Sequence, residues 1–297
     1  MRKILLVLSE WGYWGEELVG PLEVFDKKGY ESIFCTPTGK RPHALPPSMS
    51  AGFVDPPLGR SVTSAQMAEK VRAIDNPNNQ RLDNPIDLSA WFPQRPYWSG
   101  ADDSGNDENA APVLRQWEEY YRRRSAAQQD ADRFDAIVLV GGSGPMVDMV
   151  NNYRVHDLLL GFLDHGKPIA AECYGVACLA QARDYSIRKS IIWGKHVTGH
   201  AIEYDYRNNT GVLSPGTGEI LNNQHNEFVN FGPPFYTLEY MLRDATGPDG
   251  QFHGNVGRET SVIVDYPFIT GRSTPDSYMT GQMVVEVIEN GLRRYGW

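Results

Sequence analysis

The chain is patterned as short continuous apolar runs separated by amphipathic stretches. Ile4 to Leu8 is an unbroken apolar run, which predicts a strand covered on both faces. Glu16 to Lys28 carries Leu18, Leu22 and Phe25 at helical spacing, with Gly29 as its stop signal. Tyr30 to Thr36 reads as the second strand. Phe134 to Val140 is another buried strand, and it ends in Gly141-Gly142-Ser143-Gly144-Pro145. Helical spacing resumes from Val155 to Leu163, closed by Gly166, before an apolar strand from Ile169. Ser261 to Asp265 and Phe268 to Thr270 read as short strands. Tyr278 to Arg294 reads as a closing amphipathic helix. Strands alternating with helices predict an α/β fold, a doubly wound parallel sheet with helices on both faces.

Arg41 to Asp130 breaks this rhythm. It holds half of the chain's 20 prolines, many Asn and Asp residues, and the aromatics Trp91, Phe92, Tyr97 and Trp98. A structureless loop of that length does not suit one compact domain. The segment 41–130 is therefore expected to be an inserted cap within a single domain of residues 1–297. Short helices are expected at Ser64 to Ile74 and Ala111 to Arg124. Such a cap would close over an active site. A surface decoration or a dimer contact is the plainer alternative. Tyr206 to Gly257 is a second irregular region.

Composition narrows the field. With 297 residues and 41% hydrophobic content, the chain can bury a full core. A net charge of −9 with no long basic run speaks against nucleic acid as a partner. No segment is long enough to span a membrane. The basic and apolar start is too short for a secretory leader. Three cysteines, Cys35, Cys173 and Cys178, fit neither a zinc spacing nor a disulfide framework, so a reducing cytoplasm is the simplest setting.

Chemistry concentrates at Cys173. An apolar strand ends there, Gly175 follows, and helical sequence resumes. Strand, Cys, sharp turn and helix make up a nucleophile elbow. An elbow at a helix N-terminus is expected to lower the thiol pKa and so to activate a nucleophile. A Cys buried as a small hydrophobe is the plainer alternative. Ligands of open parallel sheets gather at the carboxyl ends of the strands. Ser9 to Glu17, Gly141 to Gly144 and Cys173 to Gly175 are the three polar or glycine-rich ends. The amides of Gly142 and Tyr174 are placed to form an oxyanion hole, although Gly-Gly is also an ordinary βα turn. Trp11, Tyr13 and Trp14 are candidates for a substrate-pocket wall. Glu172 is expected to be buried and therefore partnered, protonated or facing a polar cavity: an ion pair with an Arg such as Arg183 is the plainer reading, a second carboxyl group lining the site the functional one.

Several motifs in order resemble the ThiJ/PfpI superfamily of class I glutamine-amidotransferase-like proteins. They are Ile4 to Leu8 with Glu17, Pro21 and Gly29; Ile137 to Gly144; Ala171 to Ala177; Gly194 to His200; and Asp265 to Ser277. Phe34 to Pro42 and Val54 to Leu58 are similar to its larger, capped branch, which includes chaperone and glyoxalase-like members. The resemblance implies a flavodoxin-like sandwich. It implies a thiol nucleophile at Cys173, a carboxylic acid at Glu17 that tunes it, and oxyanion donors at Gly142 and Tyr174. Many members place His directly after the Cys, where this chain has Tyr174. A base must come from elsewhere, and His200 is chosen over His196, His225 and His253.

The expected function is a cysteine-dependent hydrolase or hydratase on a small carbonyl, amide or nitrile-like substrate. It would need no organic cofactor and would act as a homodimer; the capped branch leaves a metal open, with no legible ligand spacing to name its residues. The rivals are a glyoxalase or deglycase acting on 2-oxoaldehydes, and a non-enzymatic stress chaperone or thiol redox sensor.

Overall fold

The computed structural model describes residues 1–55, 58–96, 107–205, 211–213, 220–221, 229–230 and 237–297. Its centre is an eight-stranded sheet, counted among those residues. In chain order its strands are β1 (Lys3–Val7), β2 (Glu31–Thr36), β3 (Ile86–Asp87), β4 (Ala136–Leu139), β5 (Ile169–Glu172), β6 (Val262–Asp265), β7 (Phe268–Gly271) and β8 (Arg294–Tyr295). Their spatial order is β8-β6-β7-β5-β4-β1-β2-β3.

Both faces of the sheet are buried, which is why its strands are apolar throughout. Leu5 and Val7 of β1, Ile137 and Leu139 of β4, and Ile169 and Ala171 of β5 enter one core. Their neighbours Ile4, Leu6, Ala136, Val138 and Ala170 enter the other. The first core is roofed by α3 (Asp107–Ala131), α4 (Tyr153–Asp164), α5 (Ala177–Gln181) and α6 (Leu238–Thr246). The second is roofed by α1 (Gly15–Lys28), α2 (Ala65–Asp75) and α7 (Ser277–Asn290). Gly29 ends α1 in the left-handed region, φ 70°, with its N–H on the carbonyls of Phe25 and Asp26. The doubly wound, flavodoxin-like expectation matches this arrangement.

The chain runs outward from β1 to β2 and β3, then crosses back to β4 and β5. The connections leaving β1 and β4 therefore diverge at their carboxyl ends, the place where ligands of open α/β sheets bind. Ser9 to Glu17 and Gly141 to Gly144 lie there.

Two expectations need correction. The sheet is parallel from β3 to β7, but β6 runs antiparallel to β7. Only Tyr266 and Pro267 join those two strands, and a parallel crossover needs a far longer connection. The closing helix stops at Asn290, because Gly291 takes φ 65° as its C-cap, and Arg294–Tyr295 becomes an edge strand. The segment 41–130, expected as an inserted cap, also supplies parts of the main domain. Ile86–Asp87 pairs with β2 in the main sheet. Ala65–Asp75, capped by Ser64, packs on α1. The helix expected at Ala111 to Arg124 extends over Asp107–Ala131 and lies on α4. Buried Asp157 of α4 locks this contact through Arg95, Arg124 and Tyr120. Tyr97, Trp98 and most of Tyr206 to Pro234 lie outside the described residues.

Candidate active site

Cys173 follows the last residue of β5 and opens one turn of 3-10 helix, Cys173–Val176, that runs into α5. Its backbone sits at φ 53°, a region that non-glycine residues occupy at a cost. The turn is tight because Gly175 passes close under the sheet. A Cβ at Gly175 would stand 2.7 Å from the Leu139 carbonyl. Strand, left-handed Cys, glycine and helix form the elbow that the sequence predicts.

The second group arrives from the segment after α5. His196–Val197 pairs with Gln251–Phe252, and the Thr198 amide donates to Thr270 Oγ1 of β7 at 2.9 Å. Gly199 lies against Leu242 and Val176, where a side chain would have to displace the end of Leu242. This brings His200 Nδ1 to 3.5 Å from Cys173 Sγ. Tyr174 stacks on the imidazole, ring centroids 4.7 Å apart, and Tyr204 tilts against it at 5.5 Å.

The third group comes from α1. Its N-terminus is tied to the glycine turn, since the Trp14 amide donates to the Gly141 carbonyl at 3.1 Å. Glu17 is consequently aimed into the interior, 1% exposed. Its Oε2 has no hydrogen-bond partner among the described residues. Gly141 leaves room for it. A Cβ there would stand 2.2 Å from Glu17 Oε2 and 2.8 Å from Cys173 Cβ. Gly142 has φ 96° and lies against the Trp14 amide and Leu45. The amides of Gly142 and Tyr174 both interact with the Cys173 sulfur.

The electrostatics correct the expected low thiol pKa. Burial, and the Glu17 carboxylate whenever it is charged, push the Cys173 thiol well above its ordinary value. The Gly142 and Tyr174 amides act the other way and do not outweigh them. The thiol is 5% exposed, and α5 has five residues, so desolvation exceeds the help from a short helix dipole. Burial also raises Glu17 to about 8, and it lowers His200 to about 4. At neutral pH the three groups are a thiol, a neutral imidazole and a protonated carboxylic acid.

The other candidates separate. Trp11 is 66% exposed and stands in solvent rather than walling a pocket. Tyr13 is fully buried in the α1-side core, with its hydroxyl 3.3 Å from Asp75 Oδ1. It braces α2 and does not face a pocket. Trp14 is half-buried beside the glycine turn, with an indole N–H that has no partner among the described residues. Glu172 is buried but does not pair with Arg183, which is exposed. By alternation along β5 it faces α7, where Ser277 Oγ lies 2.6 Å from its Oε1. His196 and His253 bond each other at 2.8 Å, and His196 stacks on Trp297. His225 lies outside the described residues.

Two residues near the site are not apparent from the sequence pattern. Asp55 acts on His200 through its charge. Arg272 is 1% exposed; its Nη1 donates to the Asn255 carbonyl at 2.6 Å and its Nη2 to that of Arg258 at 2.9 Å. Its guanidinium lies 5.5 Å from the Tyr204 ring centre. An Arg after an apolar strand was the one signal for it. Among the described residues, no group of three or more His, Cys, Asp or Glu side chains could hold a metal. No helix there is long and apolar enough to cross a membrane.

A parallel sheet with a cysteine elbow at its carboxyl edge defines the class: an α/β protein built around one thiol. The chain belongs to the ThiJ/PfpI family-like proteins, whose family model matches residues 8–197. Solved structures share the fold over nearly the whole length. Rapid Encystment Protein 24 kDa of Francisella tularensis is 18% identical, with 97% of this chain and 99% of that one covered and a TM-score of 0.61. Glyoxalase III of Candida albicans is 17% identical, with 97% and 98% covered and a TM-score of 0.62. No curated protein matches.

Proposed function

We propose that the protein is a cysteine-dependent hydrolase or hydratase for a small carbonyl, amide or nitrile-like substrate. One observation carries the reading: His200 Nδ1 stands 3.5 Å from Cys173 Sγ, with Glu17 buried beside the same thiol. The resting thiol keeps its proton. This reading takes the tautomer in which Nδ1 accepts from sulfur; the ring also bonds the Tyr204 backbone. As sulfur adds to the electrophilic carbon, its proton passes to His200. The Gly142 and Tyr174 amides hold the developing anion, and Glu17 supplies a proton to it or to the leaving group. Water then releases the product. Leu45, beside Gly142, and Asp55, whose charge reaches His200, support a role of the 41–130 segment at the site. The reading includes a cytoplasmic homodimer.

A glyoxalase is the second reading, favoured by two proton carriers beside one thiol. Sulfur would add to the aldehyde of a 2-oxoaldehyde, and a proton would move between its two carbons before water releases a hydroxy acid. Incubation with methylglyoxal and with small amides and nitriles, followed by product analysis, separates the two. Turnover of any of them that survives Cys173→Ser unchanged would overturn both.

A further inference from the structure

Behind the thiol, facing α7, a second carboxyl group is enclosed. Glu172 is 1% exposed. Its side chain fits against Gly271, where a Cβ would stand 3.1 Å from Glu172 Cγ. Ser277 Oγ lies 2.6 Å from Glu172 Oε1 and 2.8 Å from the Thr274 carbonyl. A serine hydroxyl has one hydrogen for those two acceptors. Thr280 Oγ1, the other hydroxyl beside Glu172, lies 3.1 Å from the Asp276 carbonyl and also within reach of the Glu172 carboxyl, so it too has one hydrogen for two acceptors. Glu172 Oε2 has no partner among the described residues. An ionised carboxylate with an empty oxygen in a dry site is costly, whereas a neutral acid that donates its own proton suits every contact.

We propose that Glu172 is a positioning residue held as a neutral carboxylic acid, its proton donated to Ser277 Oγ, so that Glu17 alone sets the charge beside Cys173. The inference rests on the thiol reading above only for its consequence, not for the proton itself. The charged and titratable groups around Glu172 are Glu17 from α1, Cys173 at the elbow, and Asp276 with its partner Arg272 ahead of α7. Burial favours the protonated form of Glu172, as does Glu17 whenever it is charged, while the Ser277 and Thr280 hydroxyls act the other way. A neutral Glu172 adds no repulsion to thiolate formation. Once ionised, it opposes it.

Alkylation of Cys173 by iodoacetamide across pH tests this, with Cys173→Ser as background; Cys35 and Cys178 are fully buried. Glu172→Gln keeps a neutral group that can donate to Ser277. It is expected to alkylate within about threefold of wild type at pH 7. At strongly alkaline pH it should react about tenfold faster, since a thiol pKa lower by one gives tenfold more thiolate. A tenfold gain already present at pH 7 would mean that Glu172 is ionised there, and would overturn the proposal. Infrared difference spectra decide it without the thiol. At pH 7, Glu17→Gln minus Glu17→Gln/Glu172→Gln should show the carbonyl stretch of a protonated carboxylic acid, a subtraction that cancels other raised carboxyls such as Glu16, and its absence overturns the proposal. Neither readout needs turnover, so a failed search for substrates leaves this result standing.

Discussion

Tyr174 follows Cys173, and its ring stacks on His200 with the planes 30° apart. The residue next to the thiol therefore braces a histidine distant in sequence. A stacked ring fixes the direction of Nδ1 toward sulfur, and misplacing a proton carrier is costly. Tyr174→Ala is expected to lower kcat by about tenfold or more. Tyr174→Phe keeps the stack and is expected to lose less. Equal losses in steady-state assays would show that the ring does not orient the base.

His200 and Glu17 should bound the pH range of activity. His200 is neutral above about 4, and Glu17 is protonated below about 8. The rate should therefore hold between those values and fall on either side. His200→Asn and Glu17→Gln are each expected to cut turnover roughly a hundredfold. The double variant should be little worse than the poorer single, since groups on one proton path do not add. Glu17→Gln should also lose the alkaline limb, as measured by kcat/KM across pH.

How much of this was legible follows from what a strand pattern can encode. The runs at Ile4 and Ile137 revealed a sheet buried on both faces, and the Cys–Tyr–Gly turn revealed the elbow. Gly29 marked the end of α1. The fate of residues 41–130 was not legible, because Ile86–Asp87 joins the sheet through two residues with no periodicity of their own. The thiol pKa was misread because a helix N-terminus is visible in sequence and burial is not. For Glu172 the sequence offers an arginine partner or a place in the pocket wall, whereas hydroxyls brought close by α7 surround it.

The glycine turn gives a steric test. A methyl group at Gly141 would overlap Glu17 Oε2 and the Glu172 carbonyl, 2.2 and 2.3 Å away. At Gly142 it would press on the Trp14 amide at 2.5 Å in a backbone region that side chains disfavour. Gly141→Ala and Gly142→Ala are each expected to destabilise the fold by about 1–3 kcal/mol. Gly142→Ala, at a proposed oxyanion donor, should in addition lower kcat by roughly a hundredfold. Denaturant melts and kinetics on the same preparations check both. A stable Gly142→Ala with full activity would remove that amide from the mechanism.

Glu17 ties the site to stability. Its pKa is about 8 when folded, against 4.5 for a free glutamate. The native state therefore holds a proton that the unfolded chain gives up between those values. Stability from this group is complete below about 4.5 and declines as pH rises to about 8, the reverse of an ion-paired carboxylate. Gln at this position cannot ionise in either state. Glu17→Gln should thus match wild type near pH 4, then become more stable by a growing margin that levels off above about 8. The margin should reach a few kcal/mol, since each tenfold difference in proton affinity between the two states is worth about 1.4 kcal/mol. Parallel denaturant titrations from pH 4 to 9 measure it. A margin that stays flat, or that shrinks as pH rises, would show that Glu17 is already ionised in the folded protein and cannot be the proton donor at the thiol.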